Sequence, residues 1–310
     1  MWLVWSIYHQ VQQQQGLQQS WQTILASLKG NGQWRVYAVV LLMFFNWGIE
    51  ARKWQVLMHA LQPLGYWRSF RAIISGQALA LSTPNRVGEY VGRVVYLQDG
   101  NRLRALSLSV VGSFAQVIIT FIMGLFGLLM VYQSIVTNLS QIHALSVIWL
   151  NGLLYVLIVI TLFLLVVYYN LSWVIKVFEK IPVVAKYSFF IQKLEEVRNK
   201  KLTKILSLSF FRYVIYVVQY LLLFQLFNVQ IVWWQIICLV CVQLMVMAIV
   251  PTIALAELGV RGQVSIALFG LFSNNIIGII AAVSGIWLIN LIIPALAGSL
   301  LILGIKIFSK

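Results

Sequence analysis

Long uncharged stretches alternate with short polar loops along most of the chain. The longest of them, from Ala105 to Ile175, contains no aspartate, glutamate, lysine or arginine. A helical membrane span needs about 20 apolar residues, and runs that do not alternate in polarity argue against barrel strands. The pattern predicts an all-α integral membrane protein with about seven full transmembrane helices. These spans cover residues 36–57, 105–132, 144–169, 213–227, 232–250, 252–272 and 278–305.

The run from Ala72 to Thr83 is too short to be one of these spans, and basic residues flank both of its ends. Arg68 and Arg71 precede it, and Arg93 follows it. A segment whose ends lie on the same side of the membrane must enter and return. We therefore predict a re-entrant or broken helix pair here, with Thr83 as the N-cap of a new helix and Pro84 at its first position.

Composition agrees with the pattern, because the 310 residues are 61% hydrophobic and 9% charged, against roughly 25% charged in soluble domains. The formal charge of +15 invites a nucleic-acid interpretation, but its distribution argues against one. Lysine and arginine collect at 52–71, 86–104 and 176–204, whereas 133–145, 228–232 and 273–278 contain none. The positive-inside rule makes the basic loops cytoplasmic. They would attract anionic lipid head groups, and Lys306 and Lys310 place the C-terminus on the same side.

The pattern divides the chain into two regions: residues 1–35, which precede the first complete span, and residues 36–310, which form the polytopic membrane domain. Residues 1–8 are apolar but too short to span, so they are either the outer end of a truncated first span or an interfacial anchor. A glutamine-rich stretch and a surface helix follow. The basic segment 176–204 is predicted to be a cytoplasmic loop with an amphipathic helix near 189–198.

Two similar clusters of charge lie at the edges of apolar sequence. The first runs Ser82-Thr83-Pro84-Asn85-Arg86-Val87-Gly88-Glu89-Tyr90-Val91-Gly92-Arg93, and the second runs from Pro251 to Gly262. In each, a proline near a threonine precedes a glutamate, and an arginine follows that glutamate at i+4. Glu89–Arg93 and Glu257–Arg261 can therefore pair on one helical face. Broken helices in two chain halves suggest an internal repeat around a site in the middle of the membrane.

These residues suit a charged ligand. Guanidinium groups and helix N-termini favour an anion such as phosphate, and the carboxylates would bind a cationic head group or carry a proton. Asn46 and Glu50 share one face of the first span with Lys53. The candidate substrate-binding residues are Asn46, Glu50, Arg86, Glu89, Arg93, Glu257 and Arg261. The candidate helix-breaking or backbone positions are Thr83, Pro84, Gly88, Pro251, Thr252 and Gly259. A purely structural interpretation remains open, since Gly88 and Gly92 form a helix-packing G-x-x-x-G.

At these residues the chain resembles the lysylphosphatidylglycerol synthase transmembrane-region family, also called flippase-like domain proteins. Three segments carry the resemblance: Thr83 to Glu89, Pro251-Thr252 with Ala256 to Gly262, and Asn46-Trp47 with Glu50 and Lys53-Trp54. It implies a multi-pass protein of the bacterial cytoplasmic membrane, two broken elements meeting in mid-membrane, and lipid translocation or handling. The soluble aminoacyl-transferase domain of the synthases has no counterpart here, so we expect no lipid aminoacylation by this chain.

The first functional hypothesis is a flippase that moves a phosphate-bearing lipid or a lipid-linked sugar between leaflets. One alternative is a membrane-embedded transferase using a lipid-linked donor, with Glu89 or Glu257 as general base. Another is a non-transporting partner of an envelope assembly. The scattered histidines form no readable metal site, and no nucleotide-binding motif occurs, so we predict no metal and no cofactor. Oligomeric state is left open.

Overall fold

The computed structural model describes residues 22, 30, 32–81, 83, 86–140, 145–171, 173, 199–250 and 254–303. Within these ranges the ordered elements are helices, and no β-strand occurs. The α-helices are α1 (Gln33–Met58), α2 (Tyr66–Leu81), α3 (Gly88–Val94), α4 (Arg102–Ser140), α5 (Leu145–Tyr169), α6 (Asn199–Leu226), α7 (Trp233–Ile249), α8 (Ala254–Phe269), α9 (Ile276–Trp287) and α10 (Ile293–Leu303). The predicted all-α class is confirmed.

Several of these helices have the length and composition of membrane spans. In the described part of the chain, four segments are long and apolar enough to cross a bilayer: Asp99–Ser134, Leu150–Tyr169, Asn199–Leu226 and Ile276–Ile302. Trp233–Ile249 is apolar but shorter. α1 and α8 carry charged residues within their length. The chain is thus a multi-pass membrane protein, and the total of about seven spans stays a prediction.

The helices form two compact units. The Glu50 unit comprises Asn46–Ile119, Leu157–Tyr213 and Pro294–Lys310. The Arg261 unit comprises Met1–Phe45, Thr120–Val156 and Val214–Ile293. These units group residues by spatial contact, whereas the predicted regions 1–35 and 36–310 divide the chain by sequence. The predicted division remains a prediction, because residues 1–21 lie outside the described part.

In the Glu50 unit, α2 and α3 form a tightly packed hairpin. A Cβ atom on Gly92 would lie 2.7 Å from the Gly76 Cα atom, and one on Gly76 would lie 2.7 Å from the Glu89 carbonyl oxygen. Such an approach is open only to residues without side chains. The predicted close packing through G-x-x-x-G is present, and Gly76 of α2 is its partner.

The connection between α2 and α3 differs from the prediction. α2 begins at Tyr66 and includes Arg68 and Arg71, whereas α3 begins at Gly88, with Val87 in the N-cap position. Thr83 is therefore not the N-cap of α3, and the predicted first position, Pro84, lies outside the described residues. Its hydroxyl accepts a hydrogen bond from the Gly88 N–H at 2.7 Å and donates one to the Leu79 carbonyl at 3.1 Å. These two bonds close the turn from both sides.

Arg86 lies in this turn with a left-handed backbone, at φ 58°. Its N–H donates to the Thr83 carbonyl at 3.3 Å. Side chains other than glycine, asparagine and aspartate rarely adopt this conformation, because Cβ approaches the neighbouring peptide. The turn therefore stores local backbone strain, which is often found near binding sites.

α6 begins well before the predicted span. The sequence placed 176–204 in a loop and began the next span at Tyr213, but helix already starts at Asn199. Leu202 and Ile205 of its first turns are fully buried, so apolar packing extends the helix into the basic segment, while Lys200 and Lys204 are exposed. The predicted amphipathic helix near 189–198 lies outside the described residues.

The Arg261 unit is held by close contacts and caps. A Cβ atom on Gly127 would lie 2.9 Å from the Cys241 Cβ atom, so α4 and α7 approach closely where this buried cysteine lies. The Asn275 side chain accepts from the Gly278 N–H at 2.9 Å, capping α9, and donates to the Phe227 carbonyl at 3.1 Å. These bonds connect the turn at 273–275 to the turn after α6.

The last helical segment is not regular throughout. Residues Leu288–Ile292 form a π-helical turn between α9 and α10. Pro294 follows it, and proline removes one N–H and clashes with the carbonyl four residues earlier. A widened turn accommodates that clash without ending the helix, so the predicted continuous span from 278 persists with a local distortion.

Candidate functional site

Glu50 is the centre of an ion network in the Glu50 unit. Its Oε2 atom lies 2.7 Å from Lys53 Nζ and 2.9 Å from Arg212 Nη1. Its Oε1 atom lies 3.1 Å from Arg93 Nη2. The same Arg93 nitrogen is paired with Glu89 Oε1. One carboxylate thus contacts three cations, and a second carboxylate shares one of them.

The network, defined by Glu50, Glu89, Lys53, Arg93 and Arg212, is not electrically balanced. Its three cations and two carboxylates leave a formal charge of +1. The Glu50, Lys53 and Arg93 side chains are at most 4% exposed, whereas those of Glu89 and Arg212 are 19% and 20% exposed. Burying an uncompensated charge is costly, so this arrangement favours a nearby anion.

Helix geometry brings these groups together. On α1, Asn46, Glu50 and Lys53 fall at i, i+4 and i+7 and share one face, as predicted. On α3, Glu89 and Arg93 form the predicted i, i+4 pair. α6 contributes Arg212, whose Nε donates to Asn46 Oδ1 at 2.8 Å.

Two buried donors of this site lack an acceptor. Within the described residues, Arg93 Nε and Trp47 Nε1 are buried and make no hydrogen bond. The Trp47 ring lies 5.0 Å from the Arg212 guanidinium, in a cation–π arrangement. Buried donors are nearly always satisfied, so oxygen atoms of a ligand would complete the site.

A second ion network lies in the Arg261 unit. Arg261 Nη2 donates to Glu257 Oε1 at 2.5 Å, again at i, i+4 as predicted. Its Nη1 donates to the hydroxyl groups of Tyr220 at 2.8 Å and Tyr216 at 3.2 Å. Ser265 donates to the Arg261 carbonyl and accepts from Gln243 Nε2 at 2.6 Å. Among the described residues, these contacts join one guanidinium to one carboxylate and to two phenolic hydroxyls, whose hydrogens can donate to another group.

The remaining candidates play backbone roles or cannot be placed. Gly88 is buried, and a Cβ atom there would collide with the Leu79 carbonyl. Gly259 is buried inside the continuous helix α8, so the helix does not break at this residue, and a backbone role for it stays a prediction. Arg86 contributes the strained turn described above. Pro84, Pro251 and Thr252 lie outside the described residues.

Sequence reasoning missed the contributions of α6. Ser209, Arg212, Tyr216 and Tyr220 fall at i, i+3, i+7 and i+11, a polar stripe on an otherwise apolar helix. Ser209 Oγ accepts from Lys53 Nζ at 3.5 Å. The spacing of these residues indicates one helical face. The predicted span began at Tyr213, however, so Ser209 and Arg212 lay outside it and were separated from Tyr216 and Tyr220. That the two charge clusters meet at one central site stays a prediction.

The helices and their buried ion networks define a multi-pass, all-α membrane protein with charged groups inside its helical bundles. The model of one protein family, described as the lysylphosphatidylglycerol synthase TM region, matches residues 4–298. The chain belongs to this family, which confirms the resemblance seen in the sequence. No curated protein matches the chain. Family membership assigns the chain to membrane proteins with a lipid-related function.

Proposed function

We propose that the chain is a flippase that moves a phosphate-bearing lipid or a lipid-linked sugar between the leaflets of the cytoplasmic membrane. The observation that carries this proposal is the surplus cation in the Glu50 network. Ionisable groups within spans are costly and usually mark pathways for ions or substrates. A network built only to fasten helices would need no surplus charge, whereas passage of an anionic head group requires one.

The α2–α3 hairpin supports the same proposal. At 1.5 Å per residue, α2 is about 24 Å long and α3 about 10 Å, and both are shorter than the roughly 30 Å hydrocarbon core. We infer that the hairpin enters the membrane and returns to the same side. The hairpin would then place Glu89 and Arg93 within the hydrocarbon region of the membrane. Non-helical backbone such as the turn before α3 is tolerated at this depth where it lines a cavity.

The basic segments have a separate role in the proposal. Arg68 and Arg71 at the start of α2, and Lys200 and Lys204 at the start of α6, are exposed. Such residues next to a membrane attract anionic head groups. This attraction would concentrate anionic lipid at the cytoplasmic surface, with the C-terminus on that side, without itself selecting the cargo.

Lipid scrambling in proteoliposomes tests the function. Head-group-labelled anionic and zwitterionic lipids would be compared for wild type, Glu89→Gln and Arg261→Ala, each checked for monodispersity. Arg52→Gln is the matched control, because Arg52 is exposed on α1 and donates only locally, to Gln55. We expect Glu89→Gln to move the anionic lipid about tenfold more slowly, since Arg93 loses a charge-assisted partner.

The control defines what counts as support. Arg52→Gln should move lipid at the wild-type rate. If folded wild-type protein moves none of the labelled lipids, or if both site variants lose activity only in step with their folded yield, the transport proposal is wrong and the networks are structural.

A further inference from the structure

We propose that Arg212 is the residue of the Glu50 network that contacts the phosphate group of the substrate and sets the preference for anionic head groups. This inference rests on the proposed function, since it names the contact through which that cargo is recognised. Arg212 was not among the residues that the sequence singled out.

Access is the first argument. Lys53 and Arg93 are almost fully buried, whereas the Arg212 side chain is 20% exposed. Arg212 lies near the middle of the 28-residue helix α6, roughly 20 Å from its first residue at 1.5 Å per residue. An arginine at this depth does not face lipid tails but a polar path or a bundle interior, so its exposed part is available to a ligand there.

Charge balance is the second argument. Without Arg212, each carboxylate keeps its own cation: Glu50 keeps Lys53 at 2.7 Å, and Glu89 keeps Arg93. Removing Lys53 would leave the same balance, but Lys53 is buried and cannot reach a ligand without rearrangement. Arg212 is therefore the accessible cation that the two carboxylates do not need for charge balance.

Orientation is the third argument. Arg212 Nε donates to Asn46 Oδ1 at 2.8 Å, and Arg212 Nη1 donates to Glu50 Oε2 at 2.9 Å. The Trp47 ring lies 5.0 Å from the guanidinium carbon. Within the described part of the chain, Nη2 makes no hydrogen bond. A guanidinium that is fixed at Nε and Nη1 and open at Nη2 can donate to a phosphate oxygen. The unpartnered Trp47 Nε1 offers a further donor beside it.

Glu89 is the other partly exposed member, and it limits what can bind. Its carboxylate would repel an anion, but it is paired with Arg93. We therefore assign Glu89 to positioning Arg93 and the phosphate contact to Arg212. A cationic head-group moiety would be recognised at Glu89 instead, which a zwitterionic lipid can reveal.

Ligand binding to purified protein tests this inference without requiring transport. The probes are dihexanoyl phosphatidylglycerol, dihexanoyl phosphatidylcholine and glycerol phosphate, titrated against monodisperse protein by calorimetry. We expect wild type to prefer phosphatidylglycerol, and Arg212→Gln to bind it about tenfold more weakly, the loss typical of one charge-assisted hydrogen bond. Glycerol phosphate shows whether the bound phosphate belongs to a lipid or to a soluble compound. If it binds as tightly as phosphatidylglycerol, the ligand is a soluble phosphate, and if it binds more weakly, the ligand is the lipid.

The matched control is Arg52→Gln, which removes the same charge from an exposed position on α1 outside the Glu50 network. It should keep the wild-type ratio of phosphatidylglycerol to phosphatidylcholine affinity. Equal losses in both variants would overturn the inference, because net charge alone would then explain binding. If Arg212→Gln does not fold, Arg212→Lys decides: lysine lacks the forked donor set, so unchanged phosphatidylglycerol affinity would refute the contact.

The outcomes separate this inference from the proposed function. Binding that depends on Arg212, without lipid movement in proteoliposomes, would refute transport alone. Lipid movement whose head-group preference survives Arg212→Gln would refute the phosphate contact alone.

Discussion

At the scale of single residues, the two ion networks differ in what they need from a ligand. The Glu50 network has more cations than carboxylates, and two of its donors are unpartnered. The network around Arg261 pairs one guanidinium with one carboxylate and two tyrosine hydroxyls. Phenolic hydroxyls can accept from arginine and donate to another oxygen, so Tyr216 and Tyr220 can each still donate one hydrogen bond.

Arg93 should contribute more to stability than any surface arginine. Arg93→Met leaves Glu89 without its cation and takes one partner from Glu50, and breaking a buried pair from one side typically costs about 3–5 kcal/mol. Arg102→Met is the control, because Arg102 pairs with Asp99 on the surface, where such pairs contribute about 0–1 kcal/mol. Thermal unfolding in detergent measures both.

A second variant tests whether the unpaired carboxylate is the cause. Adding Glu89→Gln to Arg93→Met removes the charge left unpaired and should recover part of the lost stability. Equal unfolding temperatures for Arg93→Met and Arg102→Met would show that the Glu50 network contributes little to folding.

At the scale of elements, sequence reasoning placed most helices and both i, i+4 pairs, because apolar runs and helical spacing are local properties. It misplaced the start of α3, since the hydrogen bonds of Thr83 to Gly88 and Leu79 depend on where α2 ends. It divided α6 at Tyr213, because lysines among apolar residues resemble a loop until Leu202 and Ile205 are known to be buried. Gly76 was missed as the partner of Gly92 because their contact depends on tertiary packing.

The α2–α3 hairpin depends on two glycines in contact. Gly92→Ala would place Cβ 2.7 Å from Gly76 Cα and 3.0 Å from the Ser75 carbonyl oxygen, both backbone atoms of α2 that cannot rotate away. Overpacking of this kind typically costs about 1–3 kcal/mol. Gly65→Ala is the matched control, because a Cβ atom there has no neighbour within 4 Å. Fluorescence-detected size exclusion after heating measures both, and a similar midpoint for the two variants would contradict the close approach.

At the scale of the whole molecule, the distribution of charge predicts how the chain is oriented in the membrane. Lysine and arginine are absent from the turns at 228–232 and 273–278 and frequent at 52–71 and 86–104. Cytoplasmic retention of basic loops follows from the cost of moving them across the membrane. Of the basic residues in these ranges only Lys53 and Arg93 belong to an ion network, so a single variant of a network should leave the expected orientation unchanged.

Cysteine accessibility in whole cells tests this orientation. In a background with Cys238 and Cys241 replaced by alanine, Asn274→Cys and Gly100→Cys each place one thiol at an exposed position, in the turn before α9 and in the turn before α4. A Cβ atom on Gly100 meets nothing within 4 Å, so the substitution should not disturb folding. We expect a membrane-impermeant maleimide to label the thiol at 274 in intact cells and the thiol at 100 only after permeabilisation. The reverse labelling pattern would place the basic loops outside the cell. The exposed basic residues would then attract anionic lipid in the outer leaflet rather than the inner one; these residues are Arg68, Arg71, Lys200 and Lys204.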